Sequence, residues 1–432
     1  MRVPMLGDVL TEERMRRYPI ALLAVTVLIY LVNIAGSKHL IEPNGEIIGR
    51  DYLAFYMAGD MASRGRWDQL YSLQAQAVYQ NTFMEDINPG WASTCLYLNP
   101  PHYAWAMSLM TRLGYGKSLV LWWLLSLACF AASAMIWRRW LKPGAGGLVL
   151  MLAVCMPAWF QVLAGGQNTF ISLLIMTAFC GLLMKGRDGW AGIVLSLLAF
   201  KFQLLIVPAG WLLLTGRWRA LRGLVLGGAM TLVATVVTCG PEVLADYLRF
   251  ATQLDDVMLR DGFAVYKQHS WYGFFYLIGR GWLPLSSIQI LTVTASTVTL
   301  VFVAGACRGV CRPDSPAFLL MLSSMMVGLI ATCPHMFHYD MFLAVLPAVL
   351  WLRAARDPEI ARATSVLKLI LALGFVWLAV SGSLARVTHF QLSPLLMLIW
   401  LIVHWRTFRS LQRNLHPCSD LSGRVIQGRQ PV

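Results

Sequence analysis

Apolar residues along the chain run in blocks, with short polar interruptions between them. The first block is YPIALLAVTVLIYLVNIAG, residues 18–36. Similar blocks follow at 117–137, 146–163, 168–185, 219–239, 285–305, 316–332, 338–353, 366–383 and 390–407. A helix crosses the hydrocarbon core of a bilayer with about 20 apolar residues. Lipid leaves unpaired backbone polar groups unsatisfied, so these blocks are expected to be helices. Two blocks break the pattern. Residues 98–113, LNPPHYAWAMSLMTRL, are short and begin at a Pro pair, so they should lie at an interface or dip in and return. Residues 189–215 start and end beside basic residues and carry Lys201 and Gln203 in the middle, which fits a broken or re-entrant hairpin with its tip near Lys201.

Composition agrees with this pattern. Of 432 residues, 58% are hydrophobic and 13% charged, where a soluble domain carries about 25% charged residues. The expected fold is all-α. It is a polytopic integral membrane protein, a bundle of about ten to twelve transmembrane helices with amphipathic juxtamembrane helices in its first outer loop. The first block is longer than a secretory signal and lacks a small-residue cleavage site, so it reads as a retained helix. The net charge of +14 does not call for nucleic acid. Lys and Arg collect in short loops: EERMRR before the first block, RRWLK at 138–142, KGR at 185–187, RWRALR at 217–222, CRGVCR at 307–312 and RAAR at 353–356. That is the positive-inside pattern, and it places these loops in the cytosol. The chain then divides into a cytosolic segment 1–18, a membrane module 19–353, further membrane helices 354–407 and a cytosolic tail 408–432. The outer loops of the membrane module are 37–97 and 240–282. Most of the nine cysteines fall within blocks as small buried hydrophobes. Cys95 and Cys333 both fall on the outer side, where a disulfide is open to them.

In this threading the polar interruptions meet on one side. IIGRDYLAFYMAGD, residues 47–60, sets Asp51 just past the first block. Asp51 reads either as the N-cap of a helix over 52–63 or as a general base near the low-dielectric boundary. Leu53, Tyr56, Met57 and Met61 would form that helix's apolar face. A second helix would be capped by Asp68, with Leu70, Leu73 and Ala77 on one side. Such helices suit the membrane surface. GGQN at 165–168 permits a tight reversal. Gln167 and Asn168 there could cap the next helix or bind sugar hydroxyls or phosphate. Lys201 inside an apolar run costs about 2.5–3.5 kcal/mol. It either snorkels to an interface or holds a phosphate. YKQHSWYG at 266–273 has the aromatics of an interfacial belt, but that leaves His269 and Ser270 unexplained. In CPHMFHYD at 333–340, His335 and His338 would share a face if helical, with Tyr339 beside them. They read as interfacial, as hydrogen-bond donors near phosphate, or as part of a metal site that would need further ligands.

Taken in order, GRDYLAFYMAG, LYLNPPHYAW, GGQNTF, LAFKFQLLIVPAGWLLLTGRWRAL, KQHSWYG and CPHMFHYD resemble glycosyltransferase family 87, the polyprenol-phosphate-mannose-dependent mannosyltransferase-like proteins of the GT-C class. The resemblance covers most of residues 45–350. It departs from the family pattern at Asn99, where Tyr is usual, and at Tyr52, where Phe is common.

The resemblance implies a membrane hexosyltransferase with Asp51 as catalytic base. A polyprenyl-phosphate sugar, plausibly mannose, would donate, and the transfer would invert the anomeric centre. The acceptor would be a lipid or cell-envelope glycan on the non-cytosolic face of a bacterial cytoplasmic membrane. Lys201, Gln203, His269, Ser270, His335, His338, Tyr339, Gln167 and Asn168 would hold donor phosphate or sugar. Tyr52 and Tyr56 would be acceptor-side or surface aromatics. Partners are then the donor, the acceptor and membrane lipid, with no nucleic acid. No cofactor is expected, and a divalent metal is the exception left open. Other readings are a transporter or flippase of lipid-linked sugar, or a non-catalytic envelope subunit.

Overall fold

The computed structural model describes residues 11–38, 40–43, 46–85, 95–253, 264–307 and 312–415. Parts of both expected outer loops, of the basic loop at 307–312 and of the tail lie outside the described residues. Eighteen α-helices and no strand are described. The first half holds α1 (Glu12–Gly36), α2 (Arg50–Ser63), α3 (Leu73–Glu85), α4 (Pro101–Thr111), α5 (Tyr115–Trp140), α6 (Ala145–Cys155), α7 (Pro157–Gly165), α8 (Thr169–Met184) and α9 (Asp188–Ser196). The second half holds α10 (Ile206–Leu214), α11 (Trp218–Cys239), α12 (Pro241–Ala251), α13 (Trp271–Gly279), α14 (Leu285–Gly305), α15 (Pro316–Thr332), α16 (Val345–Ala354), α17 (Pro358–Thr388) and α18 (Ser393–Leu415). Short 3₁₀ segments at Leu197–Leu204 and His338–Ala344 lead into α10 and α16.

By length and composition α1, α5, α11, α14 and α17 can each cross a membrane. Their outward faces are apolar: Val237 is 78% exposed and Ile290 66%. Water would penalise such faces and lipid would not. Two bent pairs, α6 with α7 and α9 with α10, bring the count among the described residues to at most seven, reached only if each pair is one broken span rather than a re-entrant loop. This is fewer than the ten to twelve expected, because apolar blocks are broken into shorter helices. The block at 146–163 bends by 55° where Pro157 starts a new helix. The helices α8 and α15 have only 16 and 17 residues. α15 is buried from Phe318 to Ala331 and forms the centre of the bundle.

The block at 189–215 turns back on itself with a bend of 119°. Lys201 sits at the break with non-helical backbone angles (φ −130°, ψ 63°). The first arm is fixed because α9 packs backbone to backbone on α11. A Cβ at Gly192 would lie 1.9 Å from the Ala220 carbonyl oxygen, and one at Gly223 2.1 Å from that of Gly189. Small residues permit this approach between helices in lipid.

The segment before α4 departs from the amphipathic expectation. α2 begins at Arg50, and Tyr52 through Ala62 are buried on every side. It packs on α4, where a Cβ at Gly59 would touch the Met107 backbone at 2.8 Å. Tyr52 and Tyr56 are therefore core residues, 0% and 8% exposed, and not surface aromatics. α3 is one-sided, but its buried stripe is Gln76, Gln80 and Met84, while Leu73 and Ala77 are half-buried. The reason is hydrogen bonding. The Gln76 Oε1 accepts from Tyr97 N–H at 2.9 Å, and the Gln80 amide both accepts from Cys95 N–H (2.9 Å) and donates to its carbonyl (2.7 Å). The two amides thus satisfy an extended backbone that has no sheet partner. Asp68 falls in a separate 3₁₀ turn, and Ser72 accepts from Ala75 N–H at the start of α3 instead.

Candidate active site

Asp51 lies in the first turn of α2. The N-cap is Gly49, in the left-handed region (φ 74°), so Asp51 does not cap the helix. The Tyr115 hydroxyl, between the Ile48 and Gly49 carbonyls at 2.8 and 3.0 Å, ties this entry to α5. The half-buried Asp51 faces the turn between α7 and α8. A Cβ at Gly165 would come within 2.8 Å of its Oδ2, so only glycine leaves room for the carboxylate. Gly166, at φ +69°, makes the reversal and packs on Tyr52. Gln167 follows in the same turn and its side chain stabilises the ionised Asp51 carboxylate. Burial raises that carboxyl above its ordinary range. Gln167 and the charges of Lys267, Arg50 and Lys201 oppose the rise without cancelling it.

Lys201 does not snorkel. It is 8% exposed, and its Nζ lies 2.8 Å from Asp340 Oδ1. The same oxygen accepts from the Thr169 hydroxyl at 2.6 Å. Lys201 also sits 5.5 Å above the Tyr339 ring. The tip is held from a third side by Asn99, whose Nδ2 donates to the Phe200 carbonyl at 2.9 Å. Gln203 is half-buried and makes no side-chain hydrogen bond among the described residues.

Asn168 occupies the N-cap position of α8 but makes no capping bond. Its Nδ2 donates to the Tyr103 hydroxyl at 3.2 Å, and its Oδ1 is buried without a partner. Ser270 is spent on structure: it caps α13 through Gly273 N–H and donates to the Pro334 carbonyl. His335 lies in a turn outside any helix, so it does not share a helical face with His338. His338 meets His269 instead, Nδ1 to Nε2 at 3.2 Å. Three buried atoms near this pair have no hydrogen-bond partner: His338 Nε2 and both polar atoms of the Gln268 amide.

The structure thus gathers Asp51, Gln167, Lys201 and Tyr339 into one neighbourhood, and His269 with His338 into an adjoining one. Lys267 is electrostatically coupled to both Asp51 and His338. From the sequence, none of Lys267, Asp340, Thr169 and Gly165 is assigned to the site, although Gly165 is noted for the reversal and Lys267 within its polar run. Lys267 and Asp340 stand in the two polar runs already singled out, and that position was the available signal. Cys95 and Cys333 are free thiols. Burial, with the Asp51 charge beside it, pushes the Cys95 thiol up to about 12, against the opposing effect of Arg50. No group of three His, Cys, Asp or Glu suited to a metal occurs among the described residues. A groove of about 620 Å³ lies elsewhere, between the end of α2 and α3, lined by Arg64, Arg66, Tyr79 and Phe83.

The family model for glycosyltransferase family 87 matches residues 97–333, more than half the chain. The chain belongs to that family. Searches of curated proteins and of solved structures find no match. Family 87 membership makes this a multi-pass membrane glycosyltransferase. The matched region contains Gln167, Asn168, Lys201, Gln203, His269 and Ser270. Asp51 precedes it, and His335, His338, Tyr339 and Asp340 follow it, so the match does not extend to them.

Proposed function

We propose that this family 87 protein transfers a hexose, mannose in our reading, from a polyprenyl phosphate to a lipid or envelope-glycan hydroxyl. The reaction runs on the non-cytosolic face of a bacterial cytoplasmic membrane. The observation that carries the reading is the Asp51 carboxylate seated against Gly165 at the turn between α7 and α8, with Gln167 beside it and the charges of Lys267, Arg50 and Lys201 acting on it. The acceptor hydroxyl gives its proton to Asp51 as its oxygen bonds to the anomeric carbon. The anomeric carbon–oxygen bond to phosphate breaks, and polyprenyl phosphate leaves with the electron pair. Attack from the face opposite the phosphate inverts the centre.

The leaving phosphate needs positive charge and hydrogen-bond donors. Lys201 is neutralised by Asp340, so it supplies position and field to Tyr339 and Asp51 more than a bare cation. Lys267 is exposed and has no carboxylate partner among the described residues, which makes it the better phosphate ligand, with His338 beside it. Purified protein with radiolabelled polyprenyl-phosphate mannose tests the reading. Label transferred to a lipid or glycan acceptor supports it. Label that crosses liposome bilayers without being transferred contradicts it and points to a flippase.

A further inference from the structure

The two C-terminal helices α17 and α18 lie beyond the family match, and their sequence carries no motif. Each nevertheless puts one buried serine against the histidine pair. Ser393, the first residue of α18, is 2.6 Å through Oγ from His269 Nδ1. Ser381, on α17, is 3.2 Å through Oγ from His338 Nδ1. Their exposures are 2% and 0%. The histidines join at 3.2 Å, His269 Nε2 to His338 Nδ1, and the row ends at the buried, unpartnered His338 Nε2.

A neutral imidazole has one N–H donor and one lone-pair acceptor. The row can therefore run in only two directions. In one, Ser393 donates to His269 Nδ1, His269 donates from Nε2, and His338 Nδ1 accepts. In the other, every bond reverses, and Ser393 must donate onward. Its sole outlet among the described residues is the Gln391 Oε1 at 3.4 Å, an oxygen that already accepts from the Trp377 indole N–H. In the first direction the Ser393 hydrogen meets its acceptor at 2.6 Å, and in the second it has only one at 3.4 Å, longer than an ordinary O–H···O bond. In the first direction the Ser381 hydroxyl shares the single His338 Nδ1 lone pair with the His269 N–H, as a three-centre contact. Nδ1 then accepts, and the ring hydrogen is left on Nε2.

We propose that Ser381 and Ser393 are positioning residues that, with His269, lock His338 as the Nε2–H tautomer. The C-terminal helices thereby present a fixed N–H donor to a phosphate oxygen of the donor lipid. Resting on the reading above, this assigns α17 and α18 to the site itself. A wrong tautomer would turn a lone pair toward an anion and repel it.

Nitrogen-15 NMR of histidine-labelled full-length protein tests this, with His338→Gln used to assign the signals. Without ligand, His338 should show a pyrrole-type Nε2 and a pyridine-type Nδ1. The Ser381→Ala/Ser393→Ala variant should show averaged tautomers and lose roughly tenfold or more in kcat, with acceptor KM unchanged. Ser393→Thr, which keeps the hydroxyl, should restore both. A pyrrole-type Nδ1 in the parent protein overturns the proposal, as do unchanged His338 signals in the double variant. Adding farnesyl phosphate separates the two ideas. A locked tautomer that does not respond to it supports the positioning role and contradicts the phosphate reading.

Discussion

At the scale of single residues, Asp51 and Gly165 share one small space. Gly165→Ala should push the carboxylate aside, since the new methyl would sit 2.8 Å from Oδ2. Turnover is expected to fall at least tenfold while thermal stability changes little, because Gly165 ends α7 without a left-handed backbone. Steady-state kinetics beside a melting curve would check this, and a large loss of stability at full specific activity would contradict it. The raised carboxyl also sets a pH dependence. A base must be deprotonated to act, so kcat/KM should rise with pH through a value above the ordinary carboxylate range of about 4. An acid limb at or below pH 4 would show that burial does not govern Asp51.

Much of this residue scale was legible in the sequence, for a physical reason. A polar side chain in an apolar run is costly, so Asp51, Gln167 and Lys201 announce themselves. Their partners do not. Asp340 lies 139 residues from Lys201, and Ser393 lies 124 from His269. A serine in a helix interrupts no pattern. Tyr52 and Tyr56 misled because aromatics near an outer loop suit an interface, whereas α2 is sunk in the bundle.

At the scale of elements, the re-entrant turn is held by two side chains. Lys201→Met leaves Asp340 as a buried charge with only Thr169 to satisfy it. Breaking one side of a buried pair costs about 3–5 kcal/mol, so this variant should be strongly destabilised. Adding Asp340→Asn should recover much of that loss. A double-mutant cycle with no coupling would contradict the pairing. Asn99 is the departure from the usual family residue, and its amide reaches the Phe200 carbonyl. Asn99→Ala should cost about 1–3 kcal/mol through an unsatisfied carbonyl at the tip. The broken hairpin itself was foreseeable from Lys201 and flanking basic residues. The 55° bend at Pro157 was not read, although the proline that starts α7 was in plain view.

At the scale of the whole molecule, helical membrane architecture follows from composition and block length, but the number of full spans does not. Block length cannot tell a straight helix from two short ones that meet at an angle. Orientation rests on the basic loops, and it predicts that the segment carrying α2 and α3 faces outward. In a cysteine-depleted background, Gln74→Cys on exposed α3 should react with an impermeant maleimide in intact cells. Reaction only after permeabilisation would reverse the orientation.

The central claim is that Asp51 is the general base. Asp51→Asn keeps the size of the side chain, and since Gly49 caps the helix, no cap is lost. The decisive measurement is single-turnover transfer by this variant from radiolabelled polyprenyl-phosphate mannose, with donor affinity measured in parallel. The account predicts a transfer rate lowered by about 10²–10⁴ with donor affinity nearly unchanged. Transfer within a few-fold of the parent protein would contradict it.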